Sequence, residues 1–209
     1  MLLKRKLLSS CKLYLILDTE VKSYDELFDI AGKAIAAGVD IIQLRDKGGN
    51  AADILKFSKE VLRVTKGRIP YIINDRVDLA IIAKASGVHL GQEDIPIKIA
   101  RKMLGPKAII GTSCQTFAHL AAAQKAGVDY IGFGSIFKTL TKPNRSPMDL
   151  NLLKKVVQYN QVPIFAIGGI DLNNVDQIKM RGIKRIAVCR AILEAQNVQD
   201  QVRKFKDRI

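Results

Sequence analysis

Short apolar runs alternate with longer amphipathic stretches eight times along this 209-residue chain. Continuous apolar runs are typical of strands buried on both faces, and apolar residues spaced three and four apart predict helices. The predicted strands are 12–17, 40–44, 71–73, 87–90, 108–112, 130–134, 162–167 and 185–189. The predicted helices are 24–37, 51–65, 77–83, 96–104, 117–126, 147–159, 172–180 and 191–206. Eight such units in about 200 residues favour an α/β fold of the closed (β/α)₈ type, a TIM barrel, over an open sheet.

We expect residues 1–209 to form one barrel domain, because the chain contains no linker or low-complexity stretch. The longest irregular segment, 137–146, follows the sixth strand and is basic. A long loop at the carboxyl ends of barrel strands is a candidate lid over an active site.

Composition limits the possible partners. Hydrophobic residues make up 48% and charged residues 26% of the chain, which is typical of a soluble globular protein, and no apolar run approaches a membrane span of about 18 residues. The net charge of +14 invites a nucleic-acid interpretation, but the lysines are scattered and aromatic residues are few, so no nucleic-acid partner is expected. A positive field instead attracts small anionic substrates. Cys11, Cys114 and Cys189 lack C-x-x-C spacing, which favours the cytoplasm. A homo-oligomer is possible, and the sequence leaves that open.

Two acidic stretches follow the third and fourth predicted strands and place Asp75 and Asp94 near their ends. The active site of a TIM barrel lies at the carboxyl ends of its strands. Two carboxylates from adjacent strand ends can hold one Mg²⁺, which in enzymes commonly serves a phosphate or diphosphate. Either aspartate could instead cap the helix that follows it.

Gln43, Arg45 and Lys47 alternate beyond the second predicted strand, so their side chains are expected to point to the same side. Arginine offers a planar fork for phosphate oxygens, and lysine offers a compact positive charge. In the alternative interpretation, Arg45 and Lys47 are solvated rim residues that pair with Asp46.

The next strand ends add neutral polar groups. Asn74 ends the third strand, and Ser113 follows the fifth, where its hydroxyl could donate to a substrate. His89 interrupts an apolar run, and such a histidine is either a satisfied core residue or a substrate-binding group. We keep it as a substrate-binding candidate.

The remaining strand ends carry features of a phosphate site. Thr139, Thr141 and Lys142 lie on the candidate lid, where hydroxyls and an ammonium suit either phosphate binding or a surface turn. Gly168 and Gly169 follow the seventh strand and allow backbone N–H groups to approach a phosphate at a helix start. Together the strand ends indicate an enzyme that handles an anionic, metal-bound substrate.

Five segments resemble those of a known family. They are QLRDK (43–47), INDRVDLA (73–80), GVHLGQEDIP (87–96), TLTK (139–142) and AIGGI (166–170). Over nearly its whole length the chain resembles the thiamine phosphate synthase family. The resemblance implies a (β/α)₈ barrel that condenses 4-amino-2-methyl-5-hydroxymethylpyrimidine diphosphate with 4-methyl-5-(2-phosphooxyethyl)thiazole. The products are thiamine phosphate and diphosphate, and the substitution is dissociative, so diphosphate leaves before the thiazole nitrogen attacks.

The same resemblance implies roles for the candidate residues. The pyrimidine diphosphate would be bound by Gln43, Arg45, Lys47, Asn74, Ser113 and Lys142. Asp75 and Asp94 would ligate Mg²⁺. The thiazole phosphate would be held by Thr139, Thr141, the Gly169 backbone, Cys189 and Arg190. The candidate catalytic residues, which face the departing diphosphate, are Arg45, Lys47, Ser113 and Lys142.

Some positions depart from the family pattern. Gln115 stands where the family often has histidine, Ser135 where it commonly has proline, and Asp149 where it usually has glycine. Cys189-Arg190 replaces the usual Val/Ile-Ser, and Arg190 either strengthens the thiazole phosphate contact or fills its pocket. Two alternatives follow. One is a related thiazole tautomerase, whose expected catalytic histidine corresponds to Gln115, and the other is a non-catalytic thiazole-phosphate-binding relative.

Overall fold

A computed structural model describes residues 7–141 and 146–209, and the eight strands in that part of the chain are all parallel. They are β1 (Leu13–Asp18), β2 (Ile41–Arg45), β3 (Tyr71–Asn74), β4 (Gly87–Leu90), β5 (Ile109–Cys114), β6 (Tyr130–Phe133), β7 (Ile164–Ile167) and β8 (Ile186–Val188). Each strand pairs with the next in sequence, and β8 returns to β1, with Tyr14 opposite Ala187. The predicted TIM barrel is confirmed.

Each strand is followed in sequence by at least one helix. The helices are Tyr24–Ala36, Ala51–Thr65, Val77–Ala83, Ile97–Leu104, Phe117–Ala126, Asn151–Tyr159, Val175–Lys179, Arg190–Leu193 and Val198–Arg208. Side-chain caps explain several of their starts. Ser23 forms a capping box with Glu26, while Asn50 and Thr116 each accept a hydrogen bond from the third residue of the following helix.

Three predicted helices are wrong in extent. The helix predicted at 191–206 is two helices, since Asn197 accepts a hydrogen bond from Asp200 N and starts a new one. The helix predicted from 147 begins only at Asn151, whose N–H donates to the Asp149 carboxylate. The helix predicted from 172 begins at Val175, because the Asp171 carboxylate accepts hydrogen bonds from the N–H groups of Asn173 and Asn174 and forms a turn before it. In each case a short polar side chain competes for the backbone hydrogen bonds of a helix.

Two hydrophobic layers hold the fold. The barrel interior contains the rings of Tyr14, Tyr130 and Phe165, with Leu8 packed in the same cluster. A larger layer lies between the outer faces of the strands and the helices. Within the described ranges, no helix has the length and apolar character needed to cross a bilayer.

Candidate active site

A cavity of about 620 Å³ opens at the carboxyl ends of the strands. This volume is typical of a site for a small-molecule ligand. The predicted site residues that line it are Gln43, Arg45, Lys47, Asn74, Asp75, His89, Asp94, Ser113, Thr139, Thr141, Gly169, Cys189 and Arg190. Lys142 lies outside the described residues. The structure therefore brings together every predicted site residue that it describes.

Asp75 and Asp94 meet at the mouth of the cavity. Asp75 has a left-handed backbone with φ of 61°, and its N–H donates to the carbonyl of His89 at 2.9 Å. Its carboxylate accepts from the Lys47 ammonium, and the Asp94 carboxylate accepts from Gly91 N–H at 2.6 Å. Neither aspartate is the N-cap of the following helix, so the capping alternative is wrong. A non-glycine residue in this backbone region often marks a functional site.

The two carboxylates lie close enough to shift each other's pKa. Burial raises the pKa of Asp75, and the contact with Asp94 raises it further. Burial also disfavours the charge on Asp94, but hydrogen bonds from Asp75 and Gly91 and the nearby Lys47 ammonium lower its pKa. The two shifts run in opposite directions because two negative charges this close together in a partly buried site are unfavourable.

This donor set fits Mg²⁺. The ion prefers hard oxygen ligands and commonly takes one or two carboxylates, with substrate phosphates and water completing its shell. Residues 7–141 and 146–209 hold no cluster of three or more His, Cys, Asp or Glu that could bind a metal. A metal at Asp75 and Asp94 would therefore depend on the substrate for further ligands.

Arg45 is held by two carboxylates that the sequence analysis missed. Its Nη1 donates to both oxygens of Asp18, each at 2.9 Å, and to Glu20 at 2.8 Å. Asp18 is fully buried at the end of β1. These contacts, and the Lys47 to Asp75 pair, show that pairing with Asp46 was the wrong alternative. The signal available in the sequence was Asp18, an acidic residue at the end of an apolar strand.

His89 belongs to the barrel interior and to the cavity at once. Its Nε2 lies 2.9 Å from Ser113 Oγ, and its Nδ1 lies 2.9 Å from Tyr130 Oη. Gln43 donates through Nε2 to Tyr14 Oη at 2.7 Å. The two tyrosines were missed because each lies in a run of apolar strand residues, where a tyrosine is usually packing.

The opposite side of the cavity is built from backbone. Gly168 and Gly169 have φ of 105° and 63°, a region that other residues rarely adopt. A Cβ at Gly169 would lie 2.3 Å from the Lys138 carbonyl oxygen. Phe137 N–H donates to the Gly168 carbonyl at 2.9 Å, which joins the start of the 137–146 segment to the end of β7.

Cys189 and Arg190 complete this side. Arg190 Nη1 donates to Glu194 one turn later, and Arg190 Nε is buried without a hydrogen-bond partner among the described residues. Burial raises the pKa of the Cys189 thiol to about 12, with a further contribution from the charge of Asp18. The thiol contacts Thr141 through a hydrogen bond. Arg190 therefore lines the cavity with its guanidinium anchored to Glu194.

Comparisons with known proteins agree with this geometry. Residues 13–192 match the family described as thiamine monophosphate synthase. The thiamine-phosphate synthase of Clostridium tetani is 38% identical over 190 residues, which cover 90% of this chain and 91% of that protein. The enzyme of Clostridioides difficile is 35% identical, with 97% of each chain covered. The thiamine phosphate pyrophosphorylase structure from Pyrococcus furiosus superposes with a TM-score of 0.86 at 32% identity, covering 98% of this chain and 96% of that one. The chain belongs to the thiamine monophosphate synthase family.

Proposed function

We propose that this protein is a thiamine-phosphate synthase that condenses 4-amino-2-methyl-5-hydroxymethylpyrimidine diphosphate with 4-methyl-5-(2-phosphooxyethyl)thiazole. The observation that carries the proposal is one cavity lined both by the Asp75, Asp94 and Lys47 cluster and by the Gly168-Gly169 backbone. A diphosphate and a phosphate each have a suitable set of partners there. The names of the relatives favour the synthase over the tautomerase alternative.

The reaction exchanges one bond for another. The bond between the pyrimidinylmethyl carbon and the diphosphate oxygen breaks, and its electron pair leaves with diphosphate. The thiazole nitrogen then forms a C–N bond with its lone pair, which yields the thiazolium ring of thiamine phosphate. The chain needs no strong general base for this step, and its task is to stabilise the charge that builds up on the leaving oxygens.

Residues of β2 to β5 are placed for that task. Lys47, paired with Asp75 before the substrate arrives, can transfer its hydrogen bond to a diphosphate oxygen. Arg45 is held through Nη1 by Asp18 and Glu20, and we assign it to orienting the diphosphate. A Mg²⁺ ion at Asp75 and Asp94 would supply the positive charge that neutralises the developing diphosphate.

We assign the thiazole phosphate to the opposite side of the cavity. Backbone N–H groups near Gly168 and Gly169 would bind its oxygens, and the Arg190 guanidinium would add a positive charge. The described lid residues 138–141, which carry Thr139 and Thr141, also border the cavity. We propose that the segment closes over the substrates, because a carbocation formed by loss of diphosphate must be kept from water. Lys142, which lies outside the described residues, remains a proposed diphosphate ligand.

Three free thiols, Cys11, Cys114 and Cys189, are compatible with a reducing cytoplasm, which we propose as the location.

A turnover assay tests the function directly. Purified protein is incubated with Mg²⁺ and each substrate alone, and then with both together, while diphosphate and thiamine phosphate are measured. Release of both products only when both substrates are present supports the synthase. Tight binding of the thiazole phosphate without any release would instead support the non-catalytic relative.

A further inference from the structure

A continuous line of hydrogen bonds crosses the barrel interior and joins two walls of the cavity. We name it the tyrosine relay, and its members are, in order, Gln43, Tyr14, Tyr130, His89 and Ser113. The four links measure 2.7, 2.8, 2.9 and 2.9 Å. They connect β2, β1, β6, β4 and β5 in that order. Both end members, Gln43 and Ser113, line the cavity.

The surrounding residues hold the relay in one arrangement. The tyrosine side chains are buried, at 2% and 0% exposed, and the Phe165 ring packs edge-on against both of them. Gly111 makes room for the Tyr130 ring, because a Cβ there would lie 2.0 Å from Cζ of that ring. Gly132 similarly faces His89, at 3.1 Å from its Cε1. The close packing around these buried rings holds the hydroxyl groups in place.

The arrangement also has a direction. Each tyrosine hydroxyl can donate one hydrogen only. Gln43 donates to Tyr14, so the Tyr14 hydrogen is used on Tyr130, and the Tyr130 hydrogen is used on His89 Nδ1. His89 is then the Nε2–H tautomer and donates to Ser113 Oγ. The reverse direction would leave a buried hydroxyl hydrogen facing the Gln43 amide hydrogens, which is costly in an apolar interior.

We propose that Tyr14 and Tyr130 are positioning residues that fix the polarity of both cavity walls, an inference that rests on the proposed synthase function. At one end, Gln43 has its Nε2 directed to Tyr14, so its carbonyl oxygen is presented as an acceptor for the amino group of the pyrimidine. At the other end, Ser113 accepts from His89, so its hydroxyl hydrogen is directed to an anionic oxygen of the substrate. If an oxo group replaced the amino group of the pyrimidine, its acceptor oxygen would face the acceptor oxygen of Gln43.

Removal of single hydroxyls tests the relay. Tyr14→Phe and Tyr130→Phe keep the rings and should each lower kcat/KM for the pyrimidine diphosphate by about tenfold, the effect of one misdirected hydrogen bond. The KM for the thiazole phosphate should stay within about twofold, since those ligands lie elsewhere. Tyr71→Phe is the matched control, because Tyr71 is equally buried in β3 but its hydroxyl bonds Ser58 at 2.9 Å, outside the relay. Each relay variant loses two buried hydrogen bonds and Tyr71→Phe loses one, so melting temperatures are measured for all three variants and only a fall in kcat/KM beyond that of Tyr71→Phe counts for the relay.

Two further measurements separate positioning from mere stability. In a Ser113→Ala background, Tyr130→Phe should cost less than about twofold, because the group it positions is gone. Tyr14→Phe should also reduce the preference for the amino pyrimidine diphosphate over its oxo analogue. Additive losses in the double variant, or relay variants that behave like Tyr71→Phe, would overturn the proposal.

The relay can also be tested without turnover. The chain has two histidines, so ¹⁵N spectra compared with those of a His119→Gln variant assign the His89 nitrogens. The proposal expects an Nε2–H tautomer in the wild type that is lost or mixed in Tyr130→Phe. An Nδ1–H tautomer in the wild type would overturn the relay. Lack of turnover by the wild-type protein would overturn the synthase assignment instead, and the spectra would still decide the direction of the relay.

Discussion

On the β2 to β4 side of the cavity charged side chains hold one another, whereas on the β6 to β8 side the backbone comes close through two glycines. On the first side, called here the acidic side, Lys47 pairs with Asp75, which contacts Asp94. On the second, the glycine side, Gly168 and Gly169 press against the 135–138 segment. The difference indicates that the acidic side loses its function when a charge is removed. The glycine side loses its function when atoms are added.

The largest effect is expected from Asp94→Asn on the acidic side. The change keeps the shape of the side chain but removes a metal-binding charge, and we expect kcat to fall by about 10²–10³, as for other losses of transition-state charge stabilisation. Raising the Mg²⁺ concentration should recover part of the rate. Initial rates of diphosphate release across a Mg²⁺ series measure both effects.

Asp78→Asn provides the control for that change. Asp78 lies in the neighbouring helix and pairs with exposed Arg76 only two residues away. Its rate should match the wild type at every Mg²⁺ concentration. If Asp94→Asn also kept full turnover at limiting Mg²⁺, Asp94 would not be a metal ligand.

The next effect is expected from Gly169→Ala on the glycine side. The new Cβ would lie 2.3 Å from the Lys138 carbonyl oxygen and would force the cavity wall to move. We expect KM for the thiazole phosphate to rise by about tenfold or more, because a small displacement of donors weakens phosphate binding strongly. The pyrimidine diphosphate KM should change less, which would separate the two sides.

Gly127→Ala is matched to Gly169→Ala in backbone strain. Gly127 has φ of 83°, and a Cβ there meets no atom within 4 Å. Both variants should lose about 1 kcal/mol of unfolding free energy from the left-handed backbone, and Gly169→Ala should lose more because of its clash with Lys138. Only Gly169→Ala should alter KM, so an equal rise in both variants would show that the effect comes from stability.

The sequence predicts best those parts of the molecule whose physical signals lie in neighbouring residues. The helices Ala51–Thr65 and Phe117–Ala126 match their predicted bounds, because apolar spacing and side-chain caps are written in neighbouring residues. The helix start at Asn197 could not be predicted in the same way, because the apolar spacing typical of a helix continues on both sides of this capping residue.

The residues of the candidate site also differ in how far their signals are local in the sequence. Asp75 and Asp94 were predictable because unusual polar residues follow apolar strands in a fold whose strand ends converge. Tyr14 and Tyr130 were not, because their hydroxyls meet across the barrel from positions 116 residues apart. The Asp18 to Arg45 pair shows the same difficulty, since only the register of β1 and β2 places these residues opposite each other.

A smaller effect is expected from Arg190→Ala, which tests whether a side chain strengthens the glycine side. Arg190 lines the cavity, where its guanidinium can donate a charged hydrogen bond to a phosphate oxygen. A charged hydrogen bond of this kind suggests a rise of about tenfold in KM for the thiazole phosphate. Glu194→Gln should lower the KM for the thiazole phosphate slightly, because it removes the negative charge that now pairs with Arg190. A lower KM in Arg190→Ala would show that the arginine obstructs the pocket.

The smallest effect is expected from Cys189→Ser, which changes neither charge nor bulk on the glycine side. Burial raises the pKa of this thiol to about 12, so it stays protonated at neutral pH and adds no negative charge near the phosphate. The KM for the thiazole phosphate should stay within about twofold of wild type, since a serine hydroxyl can also bond Thr141. Between about pH 7 and 9 both proteins should give the same KM profile, because an ordinary thiol would titrate there but this one does not. A titration near pH 8 that vanished in Cys189→Ser would mean that water reaches the thiol, and the glycine side would then be more open than its packed backbone indicates.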